Sequence, residues 1–243
     1  MFFTEDITLS TILCDEDDYL TLWGLARLFQ DVALAHSETL GVGYYGLKSL
    51  DKAWILTHVY YNVLRLPMAG ERLTLRTWAK QDNGLIAPRD YQLIDSNGVV
   101  CASSSSNWVI LDTNSRKVTR LGEIIKVYDK EAVDSTKYSK LEKLKMPNMM
   151  DTLKKIDVPF SSIDHTYHVN NAEYIKWICD SIPEICKPRE DKRPEISELM
   201  INYLRETKYG DANVMLLHKD QDETKYFQIL NSNGVSVNAF VKL

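Results

Sequence analysis

Fifteen residues near two-thirds of the way along the chain collect most of its chemistry: Ser161-Ser162-Ile163-Asp164-His165-Thr166-Tyr167-His168-Val169-Asn170-Asn171-Ala172-Glu173-Tyr174-Ile175. An acid and two histidines stand just before Tyr174, Ile175, Trp177 and Ile178, which are apolar at helical spacing. Asn170 or Asn171 can cap that helix by accepting a bond from a free backbone N–H. Asp164 and His168 then sit at the positive end of a helix, where negative charge developing on a substrate oxygen is stabilised. Asp164 alone would read as a turn or cap residue. His165 reads as exposed turn, and Asn170 and Asn171 as structural caps.

The elements that must position this corner follow from the periodicity. Residues 6–14 are β-branched and partly alternating, which predicts a strand. From Thr21 the period changes to Leu22, Leu25, Leu28, Phe29, Val32, Ala33, which predicts a helix of about five turns ended by Gly41 and Gly43. Strands are expected over 54–66, 71–78, 89–94 and 99–111, with Asp95-Ser96-Asn97-Gly98 as a hairpin turn. Residues 123–155 mix Lys and Glu with few large apolar side chains and read as a linker with one exposed helical piece. Beyond it the order repeats. A short strand is expected at 156–160, a helix from Asn171 to about Ile182 stopped by Pro183, and strands near 197–204, 212–218, 225–230 and 235–243.

The halves also match in letters. Asn62-Val63-Leu64-Arg65 with Gly70-Glu71 parallels Asn202-Tyr203-Leu204-Arg205 with Gly210-Asp211. Tyr91 to Val99 parallels Phe227 to Val235, in the same order within each half. An internal duplication predicts an α+β tandem fold, a long helix wrapped by an antiparallel sheet, used twice, with the two sheets joined edge to edge. The expected division is an N-terminal domain at 1–125, a linker at 126–152 and a C-terminal domain at 153–243. Against this frame the copies are unequal. Asp15 matches Asp164, but Tyr19 stands where His168 stands, and Leu66-Pro67 where Glu206-Thr207 stand. Titratable groups gather in one copy only, which a structural role shared by both halves does not predict.

Bulk properties set limits. The 243 residues are 44% hydrophobic and 26% charged, with a net charge of -5, which disfavours a nucleic-acid partner. No apolar run approaches the ~20 residues of a membrane span. The N-terminus turns acidic at once and does not read as a signal peptide. Cys14, Cys101, Cys179 and Cys186 form no CxxC pair and read as reduced thiols of a cytoplasmic protein. No metal or organic cofactor is expected.

The run Asp164-His165-Thr166-Tyr167-His168-Val169-Asn170-Asn171-Ala172-Glu173-Tyr174 resembles the signature Asp-x-Asn-x-His-Val-Asn-Asn-x-x-Tyr of the acyl-acyl carrier protein thioesterases of plant plastids and bacteria. The similarity extends to Trp54-Ile55-Leu56, Gly70-Glu71, the Trp78 strand and Asn107 to Asp112. The resemblance implies a tandem hotdog fold and hydrolysis of an acyl thioester on acyl carrier protein, and family habit adds a homodimer. It places the family's catalytic Asp on Asp164, its His on His168, its Asn on Thr166, and a further acid on Glu206 within Tyr203-Leu204-Arg205-Glu206-Thr207. Thr166 and Thr207 depart from the family's Asn and Cys, and Thr207 argues against a cysteine nucleophile. On this reading Glu206 activates water, and Asp164 attacks directly or orients the others. His168 donates to the carbonyl or leaving sulfur, and backbone N–H groups at Val169 to Asn171 help hold the oxyanion. The acyl chain is expected inside the first copy, with Leu25, Leu28, Phe29 and Trp54 as lining or plain core. Two other readings of the same fold are an acyl-CoA thioesterase and a non-catalytic acyl-binding module.

Overall fold

The computed structural model describes residues 2–138, 140–186 and 195–243. The first half runs β1 (Phe3–Thr8), α1 (Leu22–Thr39), α2 (Tyr44–Lys48), β2 (Lys52–Val63), β3 (Arg72–Ala79), β4 (Ala87–Asp95), β5 (Val100–Asp112) and β6 (Lys117–Thr119). The second runs β7 (Asp151–Ile156), α3 (Asn171–Cys179), α4 (Pro183–Cys186), β8 (Glu198–Tyr203), β9 (Val214–Gln221), β10 (Thr224–Asn231) and β11 (Gly234–Lys242). All strands join one antiparallel sheet in the order β1-β3-β4-β5-β2-β8-β11-β10-β9-β7, with β6 beside β5. The halves meet where β2 pairs β8, from His58 opposite Asn202 to Asn62 opposite Glu198. This is the tandem α+β architecture the duplication predicts.

Helix α1 forms for the reasons its spacing suggests. Thr21 caps it by accepting from the Gly24 N–H at 3.0 Å, and Leu22, Leu25, Leu28, Phe29, Val32 and Ala33 are buried along one broad face. One apolar core runs through both halves, from Leu25 and Phe29 on α1 to Ile175 and Ile178 on α3, and on to Phe227 and Val237. The helices also touch through a salt bridge: Arg27 Nη2 lies 2.6 Å from Glu173 Oε1.

Four expectations are corrected. The first strand ends at Thr8 because Ser10 accepts from the Ile12 N–H and starts a 3-10 turn at Thr11–Leu13. The strand expected at 156–160 lies earlier, at Asp151–Ile156, and Phe160–Ser162 form a 3-10 turn. Helix α3 stops at Cys179, and Pro183 opens a short helix where the sequence suggested only a stop, consistent with proline's fit to a first helical turn. Residues 123–155, read as exposed linker, carry core. Ile124, Ile125 and Tyr128 are buried against Leu47, Ala79 and Ile110, and Leu141 packs on Tyr60 and Met200. The segment is also bonded to the sheet. The Trp78 indole donates to Val133 O, the Ser135 N–H donates to Asp90 at 2.7 Å, and Lys80 pairs with Asp134. Sparse apolar residues hid this because each fills a separate slot on the sheet instead of repeating along a helix face.

Candidate functional site

The turn before each helix is built the same way in both halves. In the second, the Asp164 N–H donates to His168 O and Tyr167 N–H returns to Asp164 O, both at 3.0 Å. In the first, Asp15 N–H donates to Tyr19 O at 2.9 Å and Asp18 N–H to Asp15 O at 3.1 Å. Tyr167 and Asp18 share the same left-handed φ of 65°. Each aspartate accepts from the N–H two residues on, Thr166 at 2.8 Å and Asp17 at 3.0 Å. Each turn then docks on the loop after its half's central strand, Val169 N–H to Thr207 O at 2.9 Å and Leu20 N–H to Pro67 O at 2.8 Å. The duplication seen in the letters is thus a duplication of hydrogen bonds. It also brings His168 beside Glu206, whereas Tyr19, its counterpart in the first half, forms an isolated bridge with Met68.

His168 Nε2 lies 2.7 Å from Glu206 Oε2. The same carboxylate oxygen receives Arg116 Nη2 at 2.5 Å. Arg116 comes from the turn between β5 and β6 of the first half, so both copies build the pair. Glu206 sits past the end of β8, and its carbonyl accepts from Asn231 Nδ2 at 3.0 Å. The hydrogen bond from His168, then that from Arg116, holds its carboxyl at about 2 against the opposing effect of burial.

Asp164 is arranged differently. Its Oδ1 accepts from both the N–H and the hydroxyl of Thr166, the latter at 2.5 Å, and its Oδ2 lies 3.4 Å from Asn170 Nδ2. Asn170 caps α3 through the Ala172 N–H at 2.9 Å, as expected of it. The four candidate residues therefore fall into two groups: His168 with Glu206, and Asp164 with Thr166. The oxyanion reading is narrowed as well. The Val169 N–H is spent on Thr207 O and the Asn170 N–H on Ser162 O. Among the described residues, the Asn171 N–H is the one of the three with no internal acceptor. Thr207 is buried, its hydroxyl 3.1 Å from Ser236 Oγ, so that side chain faces the core.

All four candidates, with Asn171, Tyr174 and Arg116, line a cleft of about 840 Å³. His165 is exposed on its rim, edge-on to Tyr44 with ring centroids 4.4 Å apart. The far wall belongs to the first half: Gln30, Leu34, Trp54, Leu56 and Trp108. Gln30, Leu34, Trp54 and Trp108 also border a second, mostly apolar cavity of about 100 Å³, lined further by Ala33, Ala79, Ala87, Pro88, Ile125 and Tyr128, with Ser37 and Arg89 as its polar members. Of the lining residues expected from sequence, Trp54 lines both spaces. Leu25, Leu28 and Phe29 are core. Reading the sequence missed Arg116, which lies 90 positions from Glu206 in a turn with no motif; only its charge at a hairpin tip marked it.

Comparison with known proteins supplies the family. The model of the acyl-ACP thioesterase N-terminal domain matches residues 2–128, and that of the C-terminal domain matches residues 145–240. A chloroplastic acyl-[acyl-carrier-protein] hydrolase of Cuphea viscosissima is 25% identical over 219 residues, 85% of this chain and 52% of its own length. A chloroplastic oleoyl-acyl carrier protein thioesterase of Coriandrum sativum is 23% identical over 235 residues, 88% of this chain and 62% of its own. The chain thus spans roughly half to three-fifths of the length of these relatives. Among solved structures, an acyl-ACP thioesterase from Bacteroides thetaiotaomicron superposes with a TM-score of 0.85 at 21% identity, covering 99% of this chain and 97% of that one. The 12:0-ACP thioesterase from Umbellularia californica gives 0.81 at 19% identity, covering 99% and 96%. At these identities the structures speak for the fold, and the tandem hotdog arrangement is that fold.

Proposed function

The chain belongs to the acyl-ACP thioesterase family, and from that premise we propose that it hydrolyses fatty acyl thioesters on acyl carrier protein, releasing fatty acid and the carrier's free thiol. The observation that carries the reading is the His168–Glu206 pair, in a cleft that shares Gln30, Leu34, Trp54 and Trp108 of its wall with a mostly apolar cavity of the first half. A phosphopantetheine arm entering the cleft would present its thioester to the pair and leave the alkyl chain on apolar surface.

The geometry favours one division of labour. A carboxylate held at about 2 stays ionised at every physiological pH, which suits an orienting anion better than a proton acceptor. Imidazole is the side chain that changes charge between pH 5 and 8. Glu206 fixes the ring by accepting from Nε2–H, which leaves Nδ1 to take the proton of the attacking water. The imidazolium so formed is stabilised by Glu206 and can return its proton to the leaving thiolate. The Asn171 N–H at the start of α3 is the backbone donor available to the oxyanion. Asp164, tied to Thr166 and Asn170, holds the turn that carries His168.

The reading includes a pocket-bearing domain at 1–125, a joining segment at 126–152, a domain at 153–243 with the reacting groups, a cytoplasmic location and a homodimer. No helix among the described residues is long and apolar enough to cross a membrane. The test is thiol release from a series of acyl-acyl carrier proteins and the matched acyl-CoAs. Turnover on the carrier protein is expected, falling about 10²- to 10⁴-fold in His168→Ala. Faster turnover of the CoA esters would reassign the carrier, and binding without hydrolysis would make the protein an acyl-binding module.

A further inference from the structure

Arg116 has no place in the motif read above, yet it is the first half's direct link to the proposed reacting pair. Its backbone is left-handed, with φ +56°, at the end of the β5–β6 turn where its N–H donates to Asp112 O at 2.9 Å. Glycine and asparagine suit that position, and a long side chain there is under strain. Asp112 Oδ1 accepts from both the N–H and the hydroxyl of Ser115 and keeps the turn tight. The strained residue reaches across to the other copy and bonds the oxygen of Glu206 that already faces His168. A half-exposed ion pair of this kind contributes little to stability, so a stabilising role does not account for the strain.

We propose that Arg116 is a positioning residue for the reaction: it anchors Glu206 Oε2 from the opposite half, so that Glu206 presents one fixed, ionised oxygen to His168. This rests on the function proposed above. The charged and titratable groups that share the cleft with Glu206 are Asp164, His165, His168 and Tyr174 from the turn and start of α3, Arg116 from the β5–β6 turn, Tyr203 at the end of β8, Arg205, Lys208 and Asp211 from its own loop, and Asp31, Tyr44 and Lys52 from the first half. Removing Arg116 takes away a cation that favours the ionised Glu206 carboxylate, which moves the acid limb that Glu206 sets to higher pH.

The test exploits the turn. Arg116→Gly suits φ +56° better than arginine does, so the variant is expected to melt no lower than the parent protein. On acyl-acyl carrier protein its kcat is expected to fall about 10- to 100-fold, as for a reacting group slightly misplaced, with KM nearly unchanged and the acid limb of kcat/KM raised. Arg116→Lys, which restores the charge without the planar fork, is expected to recover part of kcat and of the limb. Glu206→Gln run alongside separates the two readings. If that variant is crippled while Arg116→Gly keeps the parent's kcat and acid limb, the assignment of Arg116 is wrong and the site stands. If Glu206→Gln turns over normally, the site reading falls and takes Arg116 with it.

Discussion

Asp15 and Asp164 are the same turn residue in two copies, so removing either carboxylate tests what each copy uses it for. Asp15→Ala loses two bonds from backbone N–H groups, those of Asp17 and Tyr19, and Asp164→Ala loses one from the Thr166 N–H and one from the Thr166 hydroxyl. At roughly 1 kcal/mol net per bond, both are expected to destabilise by about 1–2 kcal/mol in urea unfolding. Only Asp164→Ala should also lower thiol release. Equal activity loss in both would mean that the turn acts through folding alone. Glu206 makes a second residue-level prediction. Its folded pKa, about 2, lies below the ~4.3 of an unfolded glutamate. The folded state therefore binds fewer protons, and Glu206 contributes stability that is complete above about pH 4.5 and lost as pH falls toward 2. The stability gap between the parent and Glu206→Gln should shrink steadily over that window. A gap that stays constant from pH 6 to pH 3 would show that the pair does not hold the carboxyl down.

At the scale of elements, helix α3 is the part whose start fixes the site. Asn170 caps it, touches Asp164 and lies two residues from His168. Asn170→Ala is expected to cost about 1 kcal/mol, as is Thr21→Ala at the cap of α1. Thermal melts should register both, while thiol release should fall only for Asn170→Ala. Elements of this kind were legible in the sequence, because caps, periodicity and the Asn97-Gly98 turn act locally. The histidine and acid were legible through the inequality of the copies: Tyr19 and Leu66 have no titratable use for each other, whereas His168 and Glu206 do. What the sequence concealed is set by tertiary contact. The partition of four candidates into two pairs depends on the direction in which Asp164 points. The burial of Ile124, Ile125 and Leu141 depends on slots in a distant sheet. The partnership of Arg116 with Glu206 depends on how two domains meet. None of these leaves a periodic trace, since each residue answers to a neighbour remote in the chain.

For the molecule as a whole, the meeting of the halves is both the structural seam and the wall of the cleft. The β2–β8 ladder makes one sheet of two, the main apolar core draws on both helices, and Arg27–Glu173 and Arg116–Glu206 cross the same boundary. Either half alone would expose a long strand edge and part of its core to water, so separate folding is unfavourable. The expectation is one cooperative unfolding transition. Four of the five tryptophans (Trp23, Trp54, Trp78 and Trp108) lie in the first half, so fluorescence follows mainly that half, whereas circular dichroism follows both. The two urea curves should coincide. Ile201, fully buried at the centre of β8 opposite Val59, provides the stronger form of the test. Ile201→Ala removes core volume at the seam and is expected to cost about 2–5 kcal/mol. If the halves are one folding unit, the substitution, though confined to the second copy, shifts the tryptophan signal of the first by the same amount as the dichroism. If fluorescence keeps its parent midpoint while dichroism moves, the halves unfold independently. Thermal motion could then part the Arg116–Glu206 contact without unfolding either domain, and a site built from both would need the substrate to bring its walls together.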